Sequence, residues 1–376
     1  MSGALSGVSC LVTGAGGFVG LRIVQMLLEE EDLGELRAMD KTVSGHLLQT
    51  CERSQKKIQV KVLEGDIRDK EFLHKACQGV DLVIHTAAII DPTGHVSKET
   101  FMSINLHGTE LILESCVKNN VRYFIYTSSM EVVGPNTRGD PIVNGHEDLV
   151  YDSTLGSCYG ESKRQGEWAV LRASGRELQN GGSLVTCSLR PTYIFGEGSQ
   201  FLQMHIDQAI QNGGVFHRIS KKEALVNPVY VGNVAWAHVV AARAMRDPDI
   251  VKKMAGNFYY ICDDTPHMSY SDLNHALGAE LGLGVEGRLA FPYPLLYFVA
   301  SIMELVSFLL RPFIRFVPPL SKHLLILLNT TFTFSYKKAQ RDMGYSPRYS
   351  WAEARRMTST WIASILPQRK EELKKK

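Results

Sequence analysis

One stretch near the start of the chain limits the fold more than any other: Gly14-Ala15-Gly16-Gly17-Phe18-Val19-Gly20, placed between an apolar run, Val8–Thr13, and a segment of helical period, Leu21–Glu30. A glycine pattern alone says little. Between a strand and a helix it is the context of a dinucleotide loop. Gly14 permits the tight turn, Gly17 lets backbone N–H groups approach a pyrophosphate, and Gly20 lets helix and sheet pack closely. Asp40 ends the second predicted strand about twenty residues further on, where a carboxylate accepts hydrogen bonds from an adenosine ribose and repels a 2′-phosphate. NAD is therefore expected over NADP, with Arg37 and Lys41 close enough to leave some tolerance for the phosphate.

From there short apolar runs alternate with helical segments up to Leu184–Leu189, a rhythm that predicts βα units and an α/β, Rossmann-type doubly wound parallel sheet. Leu82-Val83-Ile84 and Phe124-Ile125-Tyr126 lack in–out alternation, as central strands covered on both faces should. After Gly196 the rhythm loosens, and a strand-like Phe258–Cys262 and a helix at Ser269–Leu281 are assigned to a smaller C-terminal substrate domain closing over the sheet edge. The expected division is 1–196 for the dinucleotide domain, 197–290 for the substrate domain, 291–330 for a membrane-associating segment and 331–376 for the C-terminal region. The charged end from Arg369 is expected to be a solvated or frayed terminus. With 44% hydrophobic residues, 21% charged residues and a net charge of +2, the chain fits neither a disordered protein nor a polybasic nucleic-acid binder. Its scattered cysteines contain no CxxC pair, so no metal is expected.

A second constellation carries chemistry. Tyr159 and Lys163, four apart on a predicted helix, share a face, and a neighbouring ammonium should lower the phenol's pKa and make it a usable proton shuttle. Thr127-Ser128-Ser129 closes the fifth predicted strand, at the edge where such sheets bind ligands, and Ser129 can hold the substrate oxygen that Tyr159 deprotonates.

Taken together these residues resemble the extended short-chain dehydrogenase/reductase family. The shared pattern continues through Asp66 and Ile67 in Gly65-Asp66-Ile67, His85-Thr86-Ala87-Ala88, Asn105, and Arg190-Pro191 ahead of Gly196. The resemblance adds Asp66, Ile67, Ala87 and Pro191 to the expected cofactor contacts and makes Asn105 a further active-site residue. Longer blocks, Tyr126–Asn136, Leu189–Gly198, Asn227–His238 and Phe332–Arg341, look like the 3β-hydroxysteroid dehydrogenase/Δ5-Δ4 isomerase branch. That branch implies NAD-dependent oxidation of a 3β-hydroxyl on a Δ5-steroid such as pregnenolone or dehydroepiandrosterone, followed by Δ5 to Δ4 isomerisation. The second step needs a carboxylate beside an enolisable ketone. Asp263 and Asp264 are the expected base, although Asp-Asp-Thr-Pro is also good turn and cap chemistry.

Phe291–Leu310 holds a single charge, Glu304. Pro292 and Pro294 should restrict its helix to Leu295–Leu310, short for a span, which predicts a monotopic or shallow insertion. The resemblance implies endoplasmic reticulum and mitochondrial membranes with the catalytic domain facing the cytosol, a steroid substrate, contact with membrane lipid, and a homodimer through Gly156–Ala173. Two alternatives share the front-half motifs: a dehydrogenase of 7α-hydroxylated sterols without this isomerase preference, and a sugar-nucleotide epimerase or dehydratase.

Overall fold

The computed structural model describes residues 5–53, 58–91, 94–152, 154–310, 313–314, 316–318 and 320–375. Five strands form in the first third of the chain: β1 (Ser9–Thr13), β2 (Glu35–Asp40), β3 (Gln59–Glu64), β4 (Leu82–His85) and β5 (Tyr123–Thr127). They join Val185–Pro191 and Asn257–Ile261 in one seven-stranded sheet whose pairings are all parallel. Strand order reverses between β1 and β4, in register from Cys10 against Leu82 to Thr13 against His85. Past the carboxyl ends of these two strands lies the crevice where open α/β sheets bind ligands.

Two apolar layers sandwich the sheet. On one face helix α1 (Phe18–Leu28) and the Val231–Ala244 helix share a core with Cys10, Val12, Ile84, Ile125 and Leu189. On the other, helices including Lys70–Ala76 and Thr109–Lys118 pack on Leu11, Val83 and Phe124. Each such aliphatic side chain, wholly buried, contributes about 1.5–3 kcal/mol of transfer free energy, which accounts for the continuous apolar runs of the central strands.

Three expectations change. Asn257–Ile261 is not a strand of a separate small domain. It pairs with Val185–Pro191 as an edge of the main sheet, because the chain leaves after Pro191, builds the substrate side, and returns. The charged terminus is not frayed: the helix Trp351–Lys374 passes through Pro367, and Arg369 Nε donates to Asp207 Oδ1 at 2.8 Å. The apolar helix starts earlier than expected, at Tyr293, with Pro294 in its first turn, where a missing N–H costs nothing.

Candidate active site

The glycine loop is held by contacts that admit no side chain at Gly14 or Gly20. Gly14 has φ of +70°, and a Cβ there would stand 2.7 Å from the Ala87 nitrogen. A Cβ on Gly20 would run into the Gly14 carbonyl, so the helix–strand approach expected of it is present. Gly16 N–H donates to Asp40 Oδ2 at 2.8 Å, so the carboxylate also fastens the loop it flanks. Arg37 is turned away and spent on Glu35, at 2.8 Å, and on the Ala76 carbonyl, at 2.7 Å. Lys41, 3.6 Å from Asp66, is the cation left near the ribose end. Arg68 donates to both carboxylate oxygens of Asp66 and holds that group well below the usual carboxylate range. Gly14, Gly16, Gly17, Phe18, Val19, Gly20, Asp40, Asp66, Ile67, Ala87 and Pro191 all line one cavity of about 1830 Å³. Ala15 is buried beneath the turn and donates to the Met39 carbonyl at 3.0 Å.

These residues fit a dinucleotide. A cradle whose Gly14 and Gly20 admit no Cβ lies at the N-terminus of α1, a carboxylate closes β2, and two cavity-lining hydroxyls, Ser128 Oγ and Thr192 Oγ1, are buried without a hydrogen-bond partner among the described residues.

Ser129, Tyr159 and Lys163 converge on the same cavity. Ser129 caps the short turn Met130–Val132, its Oγ accepting from Glu131 N–H at 3.1 Å, and its side chain lies close enough to Tyr159 to favour the phenolate. Lys163 is buried on the Cys158–Ala173 helix, donates to the Thr127 carbonyl at 2.6 Å and sits 4.1 Å from the centre of the Tyr126 ring. Desolvation brings its ammonium down to about 7. One expectation is corrected here. The Tyr159 phenol is raised above its ordinary value, first by desolvation and then by the Glu131 carboxylate, with the Ser129 side chain opposing. Lys163 is turned to a carbonyl and a ring and does not act as the lowering charge.

Asn105, in the π-helical segment Met102–Gly108, bridges the loop after β4 to the Tyr159 helix. Its Oδ1 accepts from Ile89 N–H at 2.8 Å and its Nδ2 donates to Ser162 Oγ at 2.9 Å. It positions the site rather than lining it. Arg190 does likewise through a buried pair with Glu167 at 2.6 Å.

Asp263 and Asp264 do not reach this cavity. Asp263 is buried and accepts from Tyr230 N–H at 2.9 Å, Asn233 Nδ2 at 2.7 Å and Thr265 N–H at 3.0 Å, a turn clamp that ties the end of Asn257–Ile261 to the next elements. Asp264 accepts from the Tyr336 hydroxyl at 2.8 Å on the surface. The turn chemistry is what the pair supplies. Asp263→Ala, which strands three buried donors, is expected to cost about 1–3 kcal/mol, lowering the melting temperature, and any loss of activity should track that loss of stability.

A carboxylate that does stand beside Tyr159 in the cavity is Glu131, two residues after Ser129. It lines the cavity beside Tyr159 and faces His323 Nε2 at 3.6 Å, from the Lys322–Asn329 helix. Nothing in the sequence pairs Glu131 with His323, which are brought together by a long crossing. Its place two residues past Ser129 is the signal the sequence offers.

Part of the cavity wall is apolar. Leu296 and Tyr297 of the Tyr293–Leu310 helix and Leu324, Leu325 and Leu328 of Lys322–Asn329 line it. Glu304, the one charge of that run, is turned to Lys322, whose N–H it accepts at 2.7 Å.

The comparisons with known proteins agree with this arrangement. A model of the 3-beta hydroxysteroid dehydrogenase/isomerase family matches residues 11–293, and the chain belongs to that family. Among solved structures, MoeE5 with UDP-glucuronic acid and NAD is 20% identical, with a TM-score of 0.68 over 95% of this chain and 99% of the other. UDP-glucuronic acid 4-epimerase from Bacillus cereus is 19% identical, with a TM-score of 0.70 over 95% and 100%. DesIV, a dTDP-glucose 4,6-dehydratase from Streptomyces venezuelae, is 18% identical, with a TM-score of 0.68 over 97% and 100%. At these identities the likeness is one of fold.

Proposed function

We propose that the chain is an NAD-dependent 3β-hydroxy-Δ5-steroid dehydrogenase that also carries out the Δ5 to Δ4 isomerisation. The observation that carries this reading is one cavity lined both by the glycine loop with Ser129 and Tyr159 and by leucine and tyrosine side chains from two apolar helices. The solved relatives with NAD bound support the choice of cofactor, as does Asp40 with Arg37 spent elsewhere.

When bound, NAD supplies the hydride acceptor and the positive charge that favours the phenolate. The loop from Gly14 to Gly20, Asp40 and Lys163 would hold it. Ser129 orients the 3β-oxygen and Tyr159 takes the hydroxyl proton as the C3 hydride departs, leaving a 5-ene-3-ketone. Glu131 then removes a proton from C4, and the same proton or another returns at C6, with no net gain or loss of atoms. Through this step Tyr159 is a neutral phenol, and the raised pKa suits a donor to the enolate oxygen.

A sugar-nucleotide epimerase would use the same Ser129, Tyr159 and Lys163, and the ligands of the solved relatives favour it. The apolar wall favours a sterol. Thermal shift separates the two: with NAD present, dehydroepiandrosterone should raise the melting temperature further and UDP-glucose should not. The reverse pattern would transfer the proposal to the epimerase.

The same proposal places the protein on endoplasmic reticulum and mitochondrial membranes, facing the cytosol. The Tyr293–Leu310 helix keeps one face on the cavity and turns Phe298 (61% exposed), Leu305 and Phe308 (70% exposed) outward. A helix with one face on protein suits interfacial bedding rather than a crossing. Phe298→Gln with Leu305→Gln and Phe308→Gln should release the protein from membranes at high pH; retention of that variant would count against the helix. A homodimer through the Cys158–Ala173 helix belongs to the same reading, supported by Trp168 standing exposed on it.

A further inference from the structure

A second cavity, of about 480 Å³, opens at the root of the apolar helix. Arg218, Lys221, Lys222 and Arg288 line it against one carboxylate, Glu223, with Phe291 at the rim. Lys221 Nζ lies 4.0 Å from the centre of the Tyr293 ring, the first residue of the helix, so a cation–π contact fastens the basic loop to the apolar element.

Arg218 is only 5% exposed and borders both cavities. Its Nε donates to the Glu286 carbonyl and its Nη2 to Asp272 Oδ1, both at 2.7 Å. Its Nη1 has no hydrogen-bond partner among the described residues. An unused donor on a buried guanidinium costs free energy until an acceptor arrives, and the oxygens of a phosphate match that donor set.

We propose that this pocket holds the phosphate of an anionic phospholipid while the outward face of Tyr293–Leu310 beds among the acyl chains. The proposal rests on the interfacial reading of that helix. Charge and place support it: Lys221, Lys222 and Arg288 stand with the buried Arg218, itself paired with Asp272, against Glu223 where the apolar helix begins, and a basic rim beside an apolar face is what the headgroup–acyl boundary of an anionic membrane complements. Bound there, the lipid would set which membranes retain the protein and hold the cavity's apolar wall at the lipid surface.

The test uses the full chain and two kinds of vesicle, phosphatidylcholine alone and phosphatidylcholine with phosphatidylserine. The wild type should partition more strongly onto the anionic vesicles. Lys222→Gln combined with Arg288→Gln, both exposed in the wild type, should weaken that partition on the order of thirtyfold, leave binding to neutral vesicles unchanged and keep the wild-type melting temperature. Equal binding of the wild type to both vesicles, or a double variant that keeps its preference, would overturn the pocket. The Phe298→Gln, Leu305→Gln, Phe308→Gln variant reports on the helix separately. If the wild type binds both vesicles equally and this variant binds neither, the helix reading stands and the headgroup site falls. A wild type that binds no vesicle overturns both. Displacement from anionic vesicles by glycerol phosphate at matched phosphate concentration would assign the pocket to a soluble phosphate and also overturn the lipid.

Discussion

Tyr159→Phe should abolish most oxidation of a 3β-hydroxysteroid, by about 10²–10⁴-fold in kcat, the range that a positioned proton-transfer group contributes. The loss is chemical, because the ring still packs and only the hydroxyl beside Ser129 is removed. NAD should still raise the variant's melting temperature, since the loop from Gly14 to Gly20 and Asp40 is untouched. Isomerisation of a 5-ene-3-ketone supplied directly should fall as well, by about 10²-fold, the cost of one donor to a developing oxyanion. The raised phenol also fixes a pH dependence: as its ligand-free pKa lies above the usual value, oxidation should climb with pH through the neutral range, because proton removal from Tyr159 becomes easier as pH rises. A flat profile together with full activity of the phenylalanine variant would remove Tyr159 from the mechanism.

Glu131→Gln should separate the two reactions. Glutamine keeps the shape beside Tyr159 and opposite His323 but cannot accept a proton from carbon. Isomerisation should drop by about 10²–10⁴-fold while oxidation of the 3β-alcohol stays within a few fold, so the 5-ene-3-ketone should accumulate alongside NADH. His323→Gln, which removes only the 3.6 Å partner, should have a smaller effect on isomerisation. If the Glu131 variant isomerises normally, the proton is carried elsewhere in the cavity. If both reactions fall together, Glu131 positions the site and does not transfer the proton.

Much of the fold was legible because it depends on local pattern. The strand–glycine–helix context, Asp40 at the end of β2 and the unbroken apolar run of β4 each follow from a few adjacent residues, and the sheet forms as they require. What stayed hidden depends on returns across long sequence distance. Asn257–Ile261 reads like any short strand, and only its pairing with Val185–Pro191, after a long excursion, puts it in the main sheet. Asp263 looked catalytic because paired acids at a strand end often are, whereas three buried N–H donors claim it for the turn. The environment of Tyr159 was equally out of reach. Spacing placed Lys163 on the same helix face, but which way the ammonium turns depends on the Thr127 carbonyl and the Tyr126 ring of β5. Glu131 meets His323, which lies about half the chain further on, and no periodicity connects them.

The central claim is that one cavity serves both steps on a steroid. The most direct measurement incubates the full-length protein in membranes with NAD and dehydroepiandrosterone and follows NADH and the conjugated 4-ene-3-ketone as separate absorbance signals. The account predicts that both signals appear, in equal final amounts, and that the Glu131→Gln variant gives the first without the second. Neither signal from the steroid, together with turnover of a sugar nucleotide by the same preparation, would contradict it.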